Sequence, residues 1–244
     1  MVDGNTPASD LPKGTSDLLV RFVSAVAMIV LTIIALYLGA WFWIAFVVLL
    51  AGLVLWEWNL LVRGFGVSAV AEVAWQFIGA LYVGAAALAM VQVRINYDMW
   101  TVLVAFLAPV IAVDVGAYFA GRSIGGPKIA PSISPSKTWA GLFGGAVAAS
   151  IITIGIEVLD FGPTTAPGYT MASIGLAALS GLLIAVIAQS GDFFESWMKR
   201  RAGVKDSSSL IPGHGGVFDR LDGFLAVFFI LFLIAVVPAY IGLA

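Results

Sequence analysis

The 244-residue chain has no cysteine and a single histidine, His214. Without cysteine there are no disulfides, zinc–thiolate sites or thiol nucleophiles. Charge is scarce as well: Asp, Glu, Lys and Arg make up 11% of residues against 61% hydrophobic, and mean hydropathy is +1.04. An ordinary soluble domain is roughly a quarter charged, so this composition points to a polytopic membrane protein. The net charge of −2 says little, because sidedness matters more than the total. The opening residues Met1 to Asp10 are polar and acidic and lack the basic stretch of a cleaved signal peptide. Residues 1–17 are expected to form a short disordered cytoplasmic tail.

A spanning helix needs about 20 mainly apolar residues. Seven runs qualify: 18–38, 40–61, 69–93, 100–120, 138–159, 171–191 and 222–243. The expected fold is therefore all-α, a polytopic transmembrane helical bundle. Short or broken helices have room within 69–93 or 171–200. Two regions are expected: N-terminal helices over 18–99, and a catalytic region over 100–244 with polar loops at 121–137 and 192–221. With the N-terminus inside, Lys13, Arg21, Arg63, Arg122, Lys128, Lys137, Lys199, Arg200, Arg201, Lys205 and Arg220 all fall on the cytoplasmic side, and only Arg94 falls outside. That bias sets orientation and puts both polar loops on one side. The outer loop at 160–170 has no basic residue.

The scarce charge is concentrated in residues 190–223. Asp219 and Asp222 are three apart and share a face if Phe218 onward is helical; Asp192 and Glu195 repeat that spacing. Carboxylates from two helix ends can converge on Mg²⁺, which takes one or two of them plus phosphates and water. Lys199, Arg200, Arg201 and Lys205 lie between and suit phosphate oxygens. The Gly213-His214-Gly215-Gly216 turn permits close backbone approach. The chemistry suggested is metal-dependent phosphate chemistry.

The order Ser196-x-x-Lys199-Arg200-x₄-Lys205-Asp206-x₅-Pro212-x-His214-Gly215-Gly216-x-x-Asp219-Arg220-x-Asp222 resembles the signature of the phosphatidate cytidylyltransferase family. A second stretch resembles the same family. Asp114, Ala117, Tyr118, Phe119, Gly121 and Arg122 match one of its patterns, and Ser134, Pro135, Lys137, Thr138, Trp139 and Gly141 match the next. Ala140 stands where that pattern has Glu, which puts in doubt any essential role for that acid here. The resemblance covers residues 100–225 well and the N-terminal spans only in general character.

Asp114 lies seven residues before Gly121, so about 10 Å below the end of its span. A carboxylate facing lipid at that depth costs several kcal/mol, so it should face a polar cavity or a hydrogen-bonding partner on another helix, with Tyr118 on the same face one turn away. Gly121-x₄-Gly126-Pro-Lys128 is not a nucleotide phosphate loop, because Pro127 takes the Lys position and a membrane helix precedes it. Ser134, Ser136 and Thr138 flank Lys137 at the start of the fifth span, where free helix N–H groups favour anions. Trp56-Glu57-Trp58 and Glu72, Trp75 and Gln76 read as interfacial anchors, with reach of Glu57 into the site as the alternative. Glycines 79, 84, 116, 121, 141, 144 and 145 read as helix-packing positions.

The resemblance implies an integral membrane enzyme that makes CDP-diacylglycerol and pyrophosphate from CTP and phosphatidate with Mg²⁺, with room for a second metal ion. A phosphatidate oxygen would attack the α-phosphorus of CTP. It implies catalytic roles for Asp219, Asp222 and Lys205 and metal binding by Asp192, Asp219 and Asp222. Substrate contacts are expected from Ser134, Ser136, Lys137, Thr138, Lys199, Arg200, Asp206, His214, Arg220 and Asp114. His214 reads as a hydrogen-bonding turn residue rather than a proton carrier. No nucleic acid is expected as a partner. Small-residue helix faces are compatible with a homodimer. The expected location is the bacterial cytoplasmic (inner) membrane, with the site facing the cytoplasm. Competing readings are a cytidylyltransferase for another lipid phosphate, a transporter, and a phosphotransferase using a CDP-linked donor. The last needs an Arg where Val227 stands.

Overall fold

The computed structural model describes residues 13–161 and 169–240. Among these there are seven helices long and apolar enough to span a membrane, and no strands. We number them α1 (Lys13–Tyr37), α2 (Ala40–Arg63), α3 (Ala69–Asn96), α4 (Met99–Ser123), α5 (Trp139–Val158), α6 (Met171–Arg201) and α7 (Phe218–Ala239). The chain is thus a helical membrane protein. In lipid every backbone polar group must be satisfied within the segment, which selects helices.

Helix α1 begins at Lys13, ahead of the expected start at 18. Residues 1–12 and most of the outer loop at 160–170 lie outside the described residues. Regions 69–93 and 171–200, where breaks had room, are continuous helices. The irregularity lies elsewhere: α4 carries a π-helical segment at Val102–Leu107 and α7 another at Phe232–Val236. Helix α6 runs to Arg201, ten residues past the expected 191. It can do so because Lys199 in its last turn pairs with Glu195 one turn back, at 2.5 Å, so the charges are met inside the bundle. The expected loop at 192–221 shrinks accordingly, since helix resumes at Phe218.

Two groups of helices meet along α6. Helices α2, α3 and α7 enclose the larger apolar core, in which Trp58 is fully buried. The Trp58 ring lies 5.9 Å from Phe218, 5.8 Å from Phe194 and 6.4 Å from Trp75, and its indole N–H donates to the Trp75 carbonyl at 3.0 Å. The reading of Trp58 and Trp75 as interfacial anchors is therefore corrected: Trp58 is a core residue stacked over Gly79, where a Cβ would fall 2.5 Å from its ring. Helices α4, α5 and α6 pack through small residues. A Cβ on Gly144 would meet the Gly116 carbonyl oxygen at 2.7 Å, so the α4 and α5 backbones approach as only glycine permits in lipid. Gly84 is the exception among the glycines expected to pack, with open space where its Cβ would be. Thr153 and Ser150 of α5 donate to the Ala177 and Ala178 carbonyls of α6 at 2.6 and 2.9 Å. Helix α1 is peripheral: 6% of its apolar window is buried.

The polar ends of these helices gather at one side. Ala202 after α6 lies against Gly64 after α2, and Arg200 donates to the Ile133 carbonyl in the α4–α5 loop at 3.3 Å. At the other end Arg94 donates to the Leu36 carbonyl at 3.0 Å and the Tyr97 carbonyl at 3.3 Å. There Asp98 starts α4. The Thr101 hydroxyl, first, and the N–H groups of Thr101 and Trp100 hold its carboxyl below the ordinary carboxylate value.

Candidate active site

The segment from Ala202 to Val217 connects α6 to α7 at the polar end. It has little regular structure, so its shape comes from side chains that collect its N–H groups. Glu57, near the end of α2 and fully buried, collects four donors. Its carboxylate accepts from Ser207 Oγ at 3.0 Å, Ser208 Oγ at 2.6 Å, Val217 N at 2.9 Å and Phe218 N at 2.6 Å. Helix α7 has no local side-chain cap, so the first N–H groups that any helix leaves unpaired are capped here from α2. The helix dipole favours a carboxylate in that place. Reading Glu57 as an interfacial residue is corrected: it organises the site. The only sequence signal was an acid in an otherwise apolar run.

Asp219 makes the second clasp. One oxygen takes Lys199 Nζ at 2.6 Å; the other takes Ser207 N at 2.9 Å and Gly216 N at 2.7 Å and lies 2.8 Å from Ser207 Oγ, whose one proton it shares with Glu57. Lys199 in turn lies between Asp219 and Glu195, with 13% of its side chain exposed. Two expectations change. Lys199 was expected to meet substrate phosphates, but it is engaged by two buried carboxylates. Asp219 was expected beside Asp192 and Asp222, but it faces the loop. Helical spacing makes Asp219 and Asp222 neighbours, yet the first-turn residue rotates toward the N–H groups that need it. Gly216 is glycine for space, since a Cβ there would be 2.5 Å from Glu57 Oε1. His214 N donates to the Ile211 carbonyl at 2.9 Å, and its Nδ1 lies 3.0 Å from Ser24 Oγ of α1.

The remaining acids gather deeper. Asp192 of α6 is ion-paired with Lys137. Asp222 of α7 sits where α6 and α7 touch, its backbone oxygen packed on Gly191, and one of its carboxylate oxygens accepts from Gly223 N at 2.8 Å. Asp114 of α4 lies within electrostatic reach of Lys137, Asp192 and Arg220, and Asp222 within reach of Asp192, Asp114 and Lys137. Among the described residues no three His, Cys, Asp or Glu side chains converge on one point as a ready-made metal cage. The donor chemistry nonetheless suits a hard divalent cation. Asp192 and Asp222 supply carboxylate oxygens next to Lys137, which lines a cavity, and Mg²⁺ completes its shell with phosphate and water.

Two cavities flank this cluster. The first, about 330 Å³, is lined by Asp114, Tyr118, Arg122, Ser136, Lys137 and Thr138 together with apolar and small residues of α4 and α5. Asp114 and Tyr118 line the same cavity. The Thr138 hydroxyl caps α5 by accepting from Gly141 N at 3.0 Å. Ser134 is buried in the α4–α5 loop and is not among the lining residues. The second cavity, about 550 Å³, is lined by Lys205, Asp206, His214 and Arg220, with Arg21 of α1 as a contributor that sequence reasoning missed. Arg200 lines neither cavity, its guanidinium being tied to the Ile133 carbonyl. Arg220 borders the second cavity and acts electrostatically on Asp114 in the first.

Cations at two cavities and a group of carboxylates, at the polar end of a membrane bundle, are of the kind that would suit phosphate-bearing substrates. Comparison with known proteins assigns the family. Residues 65–237 match the model of the Cytidylyltransferase family, and the chain belongs to that family. It is 43% identical over 166 residues to a phosphatidate cytidylyltransferase of Brucella melitensis, covering 68% of this chain and 58% of that protein. It is 37% identical over 167 residues to one from Bacillus subtilis, covering 67% and 59%. A Rickettsia bellii relative of the same description is 29% identical over 225 residues, covering 91% and 92%. The chain thus spans less than two thirds of the Brucella and Bacillus relatives it matches.

Proposed function

We propose that this protein transfers the cytidylyl group of CTP to phosphatidate, giving CDP-diacylglycerol and pyrophosphate. The observation that carries the reading is the Asp114–Asp192–Asp222 cluster with Lys137, in which Asp114 and Lys137 line one cavity and Arg220, at a second, acts on Asp114. The names of the relatives agree with it. One cavity reaches membrane depth at Asp114 and suits a lipid headgroup. The other is bounded by the α6–α7 segment and suits a water-soluble nucleotide. A nonbridging oxygen of the phosphatidate phosphate forms the new bond to the α-phosphorus, and the bond to the β-phosphate oxygen breaks. No general base is needed, because a phosphate monoester is already ionised near neutral pH.

Both reactants are anions, so the protein's task is neutralisation and alignment. Lys137 and Arg122 hold one phosphate in the first cavity, while Lys205 and Arg220 hold the phosphate chain in the second. Asp192 and Asp222 would hold Mg²⁺, which supplies charge neutralisation at the phosphate oxygens. Asp219, Lys199 and Glu57 shape the segment that presents Lys205 and Arg220. The basic residues gathered at the site's end support a site that faces the cytoplasm from a bacterial inner membrane. The test is pyrophosphate release by detergent-purified protein with CTP, Mg²⁺ and dioleoyl phosphatidate, omitting each in turn. Release that needs all three is expected. Release without phosphatidate, or none from monodisperse protein, overturns the reading.

A further inference from the structure

The second cavity is walled on one side by α1, which lies before the segment that the family model matches, residues 65–237. Ser24 Oγ lies 2.9 Å from the Pro212 carbonyl oxygen and 3.0 Å from His214 Nδ1, and the Val20 carbonyl of its own helix, at 2.7 Å, competes for its one proton. The Arg21 stem lies along the same turn, since a Cβ on Gly213 would fall 2.8 Å from Arg21 Cγ. Gly213 has φ of +74°, a conformation that also favours glycine. Arg21, Lys205 and Arg220 therefore face one cavity that Asp206 alone among the acids lines. Its volume, about 550 Å³, is within the usual range for a small-molecule site.

We propose that Arg21 and Ser24 of α1 complete the subsite for the phosphate chain of the nucleotide, Arg21 as a direct phosphate ligand and Ser24 as the residue that holds the His214 turn in place. The inference rests on the proposed reaction for its substrate. The shared chemistry is a phosphate anion, and either a nucleotide or a lipid headgroup could supply one. The cavity's makeup favours the nucleotide. Apart from Ile211 and Pro212 its walls are polar or glycine, whereas the first cavity carries Ala117, Leu142 and Tyr118 down to Asp114 within the span.

The test uses the full-length chain in detergent with Arg21→Ala, Arg21→Lys and Ser24→Ala, each checked for monodispersity. KM is measured for CTP at saturating phosphatidate and for phosphatidate at saturating CTP. Equilibrium binding of CTP, and of pyrophosphate alone, gives a readout independent of turnover. Losing one charge-assisted phosphate contact weakens binding roughly ten- to hundredfold. Arg21→Ala is expected to raise the CTP KM and both dissociation constants by that factor, with kcat and the phosphatidate KM nearly unchanged. Arg21→Lys should recover part of the loss, and Ser24→Ala should show a smaller shift of the same kind. Unchanged CTP and pyrophosphate binding in Arg21→Ala, or a rise confined to the phosphatidate KM, overturns the inference. Wild-type protein that binds CTP through Arg21 but does not use phosphatidate would sink the proposed reaction and leave the subsite standing. Protein that binds neither CTP nor pyrophosphate overturns both.

Discussion

Replacing Glu57 with alanine should unfasten the α6–α7 segment although residue 57 is about 150 positions away in sequence. The carboxylate accepts from two serine hydroxyls and from the N–H groups of Val217 and Phe218. Its removal leaves two buried N–H groups unpaired, at roughly 1–3 kcal/mol each. The serine hydroxyls lose charge-assisted bonds as well, although they can turn to other acceptors. A total of about 3–5 kcal/mol follows, similar to breaking a buried ion pair from one side. That is a large share of the roughly 5–15 kcal/mol that holds a typical domain. For a chain of this size it corresponds to a Tm drop of roughly 6–20 °C. Tryptophan emission during thermal unfolding in detergent is a direct assay, because Trp58 and Trp75 lie in the cluster that Phe218 closes. Activity should fall with stability, since Arg220 and Asp222 ride on the helix that Glu57 caps. Glu57→Gln keeps the shape and one acceptor oxygen and should lose about half as much. A Glu57→Ala protein with unchanged Tm and turnover would refute the capping argument.

The two aspartates of α7 should part company on substitution. Asp222→Asn is expected to cut turnover at least a hundredfold, on the scale of a lost electrostatic group, while Tm stays within a few degrees. Asp219→Asn should lower Tm as well as turnover, because its oxygens serve Lys199, Ser207 and Gly216; thermal scans beside pyrophosphate release separate the two. Lys199→Ala leaves Glu195 and Asp219 facing each other and should destabilise by about 3–5 kcal/mol, seen as loss of monodisperse protein on size-exclusion chromatography. Gly216→Ala should reduce kcat strongly, since its Cβ would displace the Glu57 carboxylate; wild-type kinetics in that variant would disprove the crowding. Chelation with EDTA should abolish pyrophosphate release reversibly, with Mg²⁺ restoring it, and release that persists in EDTA would refute the assignment of Mg²⁺ to Asp192 and Asp222.

Composition and run length alone determined that the chain is a helical membrane protein, with seven long apolar helices among the described residues, because a bilayer admits a backbone only where its hydrogen bonds close locally. The residues proposed to bear the chemistry were also legible, since charge in so apolar a chain is placed sparingly and Asp114, Lys137, Asp192 and Asp222 stand out. Their division of labour was not. Spacing along a helix shows which residues share a face, and says nothing of which face another helix meets. Asp219 and Lys199 read as ligands until the fold turned them toward Ser207 and Glu195. Arg21 and Ser24 carried no local signal for their roles, and Glu57 only that of an acid in an apolar run, because their partners lie about 150 to 190 residues away. Only the tertiary structure decided which charges hold the protein together and which remain facing the cavities. Burial settles that question, since a carboxylate enclosed among donors must satisfy them, while one beside open space is free to meet a substrate.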